Sequence, residues 1–205
     1  MSHGRARTFG LDRSGPEPEA TRAGAPLRPF TLPNLIGYAR IGLLAAFLVI
    51  ALGSDDGRVP IATVCFAAAG WGDYLDGLVA RLTGQYSRLG ALMDPLIDRL
   101  VVVSGVVVAW HFELLPRWAL AVLIARELVM VVVVSEGLRL GLDLHINWFG
   151  RVAVWPTMSA FAFGVFGWDT VAEVSLYLGL VGSLAATAQY LRDGLVELRR
   201  GSSKR

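Results

Sequence analysis

Four aspartates, Asp73, Asp76, Asp94 and Asp98, stand within 26 residues of otherwise apolar sequence, DYLDGLVARLTGQYSRLGALMDPLID. Asp73 and Asp76 are three apart and Asp94 and Asp98 four apart, so on two helices each pair turns its carboxylates to one side. Carboxylates that close repel one another and do not all stay ionised without a compensating cation. Hard oxygen donors with no His or Cys among them suit Mg²⁺, Mn²⁺ or Ca²⁺ rather than zinc or copper. Two such ions would clamp a diphosphate and stabilise the charge of a displacement at phosphorus.

The elements that must position these acids follow from the link between the pairs. Roughly Leu82 to Leu89, it is polar and holds Gly84, Gln85, Ser87 and Arg88. A connection that short makes the flanking helices antiparallel neighbours. With the turn centred near Gln85, Asp76 and Asp94 each lie nine residues from it, about 14 Å along their helices at ~1.5 Å per residue. Asp73 and Asp98 lie twelve and thirteen residues away, about 18 to 20 Å on the same rise. The four carboxylates are thus expected at matching depth.

The pattern D-x2-D-G-x2-A-R-x8-G-x3-D-x3-D stands here without gap or substitution as Asp73, Asp76, Gly77, Ala80, Arg81, Gly90, Asp94 and Asp98, and it resembles the signature of the CDP-alcohol phosphatidyltransferases. That resemblance implies a CDP-linked lipid as donor, usually CDP-diacylglycerol. An acceptor alcohol would attack the phosphorus that bears the lipid and release CMP. Carried over residue by residue, Asp73, Asp76, Asp94 and Asp98 would be metal ligands for two divalent cations, Mg²⁺ or Mn²⁺. Asp98 would also be the catalytic base for the acceptor hydroxyl, and Gly77, Ala80, Arg81 and Gly90 would lie along the CDP-lipid. Positioning and charge neutralisation supply most of the catalysis in phosphoryl transfer, which fits such a site.

Outside the motif the chain resembles bacterial phosphatidylglycerophosphate synthases of that family in LPNLIGYARI at Leu32 to Ile41, in MDPLIDRL and in IAREL at Ile124 to Leu128. Glycerol 3-phosphate is the acceptor this implies. Where those synthases commonly read like G-K-x-K-T-x-x-Q, the chain has GRVAVWPT from Gly150 to Thr157, keeping a basic residue at Arg151 and losing the second lysine and the glutamine. Cardiolipin synthases, which use phosphatidylglycerol, are often as loose here, and an inositol-phosphate-using relative is a third reading.

Arg126, Arg139 and Arg151 are candidates for binding the acceptor, with Arg99 as a further cation. Each has an alternative reading as a flank or as the partner of an acid. Arg126 lies well inside an apolar stretch and wants a partner or a wet cavity. Glu127 is adjacent and does not share its helix face, so it is not an automatic partner. Arg40, about 10 Å beyond Pro33 at the helical rise, is expected to snorkel to the interface. Gly77 weakens a helix by roughly 1 kcal/mol relative to Ala, which suits close approach of a ligand or tight helix packing.

Mean hydropathy is +0.53 and 54% of residues are hydrophobic, too apolar for an ordinary soluble domain of 205 residues. The expected fold is all-α, an integral membrane bundle of six transmembrane helices. Apolar stretches run near 35–52, 59–82, 89–110, 118–138, 148–166 and 171–191, each close to the ~20 residues a spanning helix needs. Residues 1–30, rich in Gly, Pro, Ala and Arg, form no periodic pattern and are expected to be a flexible tail. They resemble no cleavable signal peptide, and the first apolar run is expected to serve as an uncleaved span. Residues 31–193 would be the enzyme domain and 194–205 a basic tail.

Six spans place both termini on one side. That side carries Arg5, Arg7, Arg13, Arg22, Arg28, Arg88, Arg139, Arg151, Arg192, Arg199, Arg200, Lys204 and Arg205, against Arg58 and Arg117 opposite. The positive-inside rule makes it cytoplasmic and opens the carboxylate cluster to the cytoplasmic face of the cell membrane, within reach of membrane lipid. A formal charge of +2 with scattered basic residues does not suit nucleic acid as a partner. Cys65 is the single cysteine and permits neither an intramolecular disulfide nor a thiolate cluster. Gly179, Gly182, Ser183, Ala185 and Ala186 suit close helix packing, within one bundle or across a homodimer.

A cation or proton transporter using the same acids is the rival class. Against it, no matching acids occur deep in the outer half of the other spans. The orientation is directly measurable with single cysteines in a Cys65→Ala background. Gln85→Cys is expected to react with an impermeant maleimide only from the cytoplasmic side, and Asp56→Cys only from the other; labelling of both from one side refutes it.

Overall fold

The computed structural model describes the backbone of residues 26–139 and 148–202, and side chains within 26–133 and 154–192. Six α-helices follow one another, with no strand among the described residues: α1 Leu32–Leu52, α2 Pro60–Thr83, α3 Arg88–His111, α4 Arg117–Arg139, α5 Trp148–Phe166 and α6 Asp169–Ser202. They fall on the six apolar stretches of the sequence.

Local chemistry sets the boundaries. Thr31 caps α1, its Oγ1 accepting the Asn34 amide at 3.4 Å, and Pro33 fits the first turn, where its missing N–H has no partner to lose. The helix therefore starts three residues before the apolar run at Leu35. Pro60 opens α2, and Gly84 closes it in the left-handed region at φ 68°, a conformation glycine adopts without a Cβ clash. The α2–α3 link is thus only 84–87, shorter than the polar composition of 82–89 implies. Pro95 and Pro156 stand inside α3 and α5, where each lacks the amide that would bond the carbonyl four residues back. At the other end α6 runs to Ser202, through most of the stretch expected as a tail. Leu195, Glu197, Leu198, Arg199 and Arg200 are all good helix formers, and nothing before Ser202 stops the helix.

The chain divides into two compact units, Met1–Val107 and Val108–Arg205. In the first, α1 packs along α2, with Phe47 and Phe66 in contact at 4.9 Å between ring centroids. Gly37 on α1 faces Met93 and Ile97 of α3 so closely that an added Cβ would lie 3.0 Å from Met93 Cε. In the second, α6 packs along α5 and against α4, and Trp118 stacks on Tyr177 at 5.7 Å.

The entrance to α1 is tied to the α2–α3 turn. Buried Asn34 donates from Nδ2 to the Arg28 and Pro29 carbonyls at 3.0 and 3.2 Å. Its Oδ1 accepts from Ser87 Oγ at 3.0 Å. Ser87 Oγ in turn accepts the Gly90 amide, and Gln85 Oε1 accepts the Leu32 amide. The Leu89 amide also reaches the Leu27 carbonyl at 3.3 Å. These bonds set where α3 begins and hence where its aspartates stand.

In the first unit a few polar groups are buried beside the apolar core, and many large apolar side chains are exposed. Asn34, Arg40, Asp76, Ser87 and Ser104 are buried, whereas Val49, Val64, Trp71, Leu82 and Leu92 are each more than half exposed. Among the described residues two helices are long and apolar enough to cross a membrane, Leu32–Leu52 with mean hydropathy 2.2 and Asp169–Arg192 with 1.5. The aspartates and arginines of α2 and α3 lower the hydropathy of those helices.

Removing the Asn34 amide breaks three hydrogen bonds and leaves the Arg28 and Pro29 carbonyls short of a donor. Asn34→Ala is expected to lose about 2 kcal/mol of stability, read by thermal unfolding in detergent, while Tyr38→Phe, which gives up one exposed bond of 3.4 Å to the Pro29 carbonyl, should change it little.

Candidate active site

Arg40 is the centre of the first unit's polar interior. It is 1% exposed, and each nitrogen of its guanidinium is used. Nε donates to the Ala69 carbonyl at 2.9 Å, Nη1 to Asp76 Oδ2 at 2.9 Å and Nη2 to Asp98 Oδ1 at 3.0 Å. Asp73 Oδ1 completes the shell at 3.7 Å from Nη1. One planar cation from α1 thereby joins both carboxylate pairs. Arg40 does not snorkel: the carboxylates neutralise it where it lies, so burying its guanidinium costs less than its sequence position implies.

The backbone of α2 makes room for it. A Cβ on Gly72 would lie 2.6 Å from Arg40 Cγ and 2.7 Å from Cδ, so the arginine stem crosses α2 where no side chain intervenes. Spacing arguments passed over Gly72 and sent Arg40 to the interface instead of to the acids. The available signal was an arginine inside the apolar run LPNLIGYARI with no acid near it in sequence, a position that calls for a partner on another helix.

The other candidates distribute as follows. Asp76 is buried, while the Asp73 and Asp98 side chains are 55% exposed. Asp94 is exposed on α3 and makes no hydrogen bond or ion pair with Arg40. Gly77, Ala80 and Arg81 follow on α2, half-buried, with the Arg81 guanidinium turned back over Gly77, 3.2 Å from where a Cβ would be. Gly90 lies against Asn34 Oδ1 and Ser87 Oγ, at 2.8 and 3.1 Å from an added Cβ, so its lack of a side chain also serves the link between α1 and the turn.

Arg126 belongs to the second unit, where Nε donates to Thr187 Oγ1 of α6 at 2.9 Å and Nη1 pairs with Glu127 Oε1. The adjacent acid is therefore its partner after all, because both long side chains bend round the helix to meet. Arg139 ends α4 and Arg151 lies in the first turn of α5; their side chains lie outside the described residues.

The donor chemistry at Arg40 fits a hard divalent cation, since the groups that converge are carboxylate oxygens alone. Their present arrangement serves the guanidinium: among the described residues no three Asp, Glu, His or Cys side chains are set to hold an ion. A positive charge already stands where Asp73, Asp76 and Asp98 converge.

The sequence model of the CDP-alcohol phosphatidyltransferases matches residues 30–185. Among characterised relatives, the cardiolipin synthase (CMP-forming) of Streptomyces coelicolor is 37% identical over 138 residues, 65% of this chain and 64% of that protein. The CDP-diacylglycerol–glycerol-3-phosphate 3-phosphatidyltransferase of Bacillus subtilis is 32% identical over 148 residues, 64% of this chain and 74% of the relative. The protein of the same name from Salmonella paratyphi A is 28% identical over 173 residues, 79% and 93% of the two lengths. The chain belongs to the CDP-alcohol phosphatidyltransferase family. It spans 64% of the length of the Streptomyces relative.

The two acids nearest Arg40 Nη1 should differ in weight. Asp76→Ala takes a buried 2.9 Å partner from a buried cation and is expected to destabilise the metal-free protein by about 3 kcal/mol. Asp73→Ala removes an exposed partner at 3.7 Å and is expected to lose about 1 kcal/mol or less. Unfolding in detergent with a chelator present measures both; equal effects would refute the asymmetry.

Proposed function

We propose that this protein is an integral membrane enzyme that transfers a phosphatidyl group from CDP-diacylglycerol to an acceptor alcohol and releases CMP. The observation that carries the reading is the complete eight-residue motif, three of whose four acids, Asp73 and Asp76 of α2 and Asp98 of α3, converge on the Arg40 guanidinium. The many exposed large apolar side chains support a lipid surrounding, with six spans, both termini in the cytoplasm and the site open to that side of the cell membrane.

In this reading Asp73, Asp76, Asp94 and Asp98 hold two divalent cations, Mg²⁺ or Mn²⁺, which when bound would neutralise the diphosphate of the CDP-lipid. Asp98 takes the proton of the acceptor hydroxyl. Its Oδ1 accepts from Arg40, which leaves Oδ2 to face the alcohol. The alcohol oxygen bonds to the phosphorus that carries the diacylglycerol, the bond from that phosphorus to the CMP oxygen breaks, and CMP leaves. Gly77, Ala80, Arg81 and Gly90 border the nucleotide, with the Arg81 guanidinium, which lies over Gly77, as the cation for its phosphates.

For the acceptor, glycerol 3-phosphate is the first reading, supported by the names of the Bacillus and Salmonella relatives, the latter matched over 93% of its length. Arg126, Arg139 and Arg151 are the cations proposed to receive its phosphate. Phosphatidylglycerol is the second reading, favoured by the Streptomyces relative and by the sparse basic character of Gly150 to Thr157. Both acceptors present a glycerol hydroxyl, so one catalytic centre serves either.

The test is CMP release by the purified protein in detergent with Mg²⁺ and CDP-diacylglycerol, comparing glycerol 3-phosphate, phosphatidylglycerol and inositol phosphate. One acceptor is expected to drive release, and Asp98→Asn is expected to lower it at least about a hundredfold, as loss of a general base does. Release driven by no acceptor in folded, metal-binding protein would overturn the transferase reading and turn attention to ion flux in liposomes.

A further inference from the structure

We propose that Arg40 is a tethered counter-cation of the carboxylate site, which neutralises Asp76 and Asp98 in the metal-free protein and which a divalent ion must compete with on entry. The inference rests on the metal-site reading above and adds to it a residue outside the motif.

Three observations carry it. The guanidinium bridges the two acid-bearing helices, with Asp76 on α2 and Asp98 on α3 each within 3.0 Å. Its place is built: Gly72 leaves a gap filled by Arg40 Cγ and Cδ, and the Ala69 carbonyl fixes Nε at 2.9 Å. It occupies oxygens that an ion would need, since Asp73, Asp76 and Asp98 all contact this one arginine.

Charge decides the direction of the effect. A unit positive charge about 4 Å from a divalent ion opposes its binding by several-fold to many-fold even with strong screening. A residue that served only to brace the fold would have the opposite signature: its loss would scatter the acids and weaken metal binding. The two roles are therefore separable without any assay of turnover.

The experiment titrates Mn²⁺ into purified protein in detergent, without substrate, and reads free Mn²⁺ by its paramagnetic resonance. Arg40→Gln keeps hydrogen-bond donors and removes the charge; it is expected to bind Mn²⁺ at least about tenfold more tightly than wild type. Arg40→Lys keeps the charge and is expected to stay near wild-type affinity. Gly72→Ala displaces the arginine stem and is expected to move affinity in the same direction as Arg40→Gln, by less.

Because Arg40→Gln leaves the acids without a counter-charge, its folding is expected to depend on the metal, with a larger rise in Tm on adding Mn²⁺ than wild type shows. Unchanged or weaker Mn²⁺ affinity in folded Arg40→Gln overturns the proposal. So does failure of both Arg40→Gln and Gly72→Ala to fold at any Mn²⁺ concentration, since the ion should replace the missing cation. Wild-type protein that takes up no Mn²⁺ would instead overturn the metal-site reading itself.

Discussion

The first unit depends on one electrostatic contract between three helices. α1 supplies a buried guanidinium, α2 and α3 supply carboxylates, and the buried pair Arg40 and Asp76 is tolerable only because each neutralises the other. The apolar contacts, such as Phe47 on Phe66, bring the helices together without specifying their register. The Arg40 bonds to Ala69, Asp76 and Asp98 do specify it, because a guanidinium offers donors in fixed directions. Hydrogen bonds at the helix entrances reinforce the same register from the other end, through Asn34, Ser87 and Gln85.

Much of this was legible in the sequence, for reasons that differ from part to part. The six helices announced themselves because apolar runs near 20 residues leave few other options. The acid pairs could be assigned to two successive helices because their separations match helical periodicity and the link between them is short; it is Arg40 that bridges those helices. What periodicity does not encode is a contact between helices distant in sequence. Arg40 and Asp98 are 58 residues apart, and a single arginine in an apolar run is compatible with either an interfacial or a buried end. The same limit hid Gly72, whose significance lies in the arginine stem that crosses it. Arg126 and Glu127 failed in the other direction: neighbours on a helix diverge at Cβ, yet side chains this long can still converge at their tips.

The family resemblance and the physical reading meet at different resolutions. The motif specifies eight positions and says nothing of Arg40, Asn34 or Ser87. Those residues organise the motif by fixing the ends and the mutual depth of its helices. Gly90 illustrates the overlap: it belongs to the motif, and it also lets Asn34 approach the start of α3.

Pro95 gives the acid pair of α3 an additional property. It lies between Asp94 and Asp98, and it has no amide hydrogen to offer the Ala91 carbonyl. Ala91, Asp94 and Asp98 follow at helical spacing along one stripe. The helix therefore presents an uncharged main-chain oxygen beside two charged ones, at a point where its own hydrogen-bond ladder is interrupted. The missing bond makes α3 easier to bend at the turn that carries Asp94, one turn before Asp98.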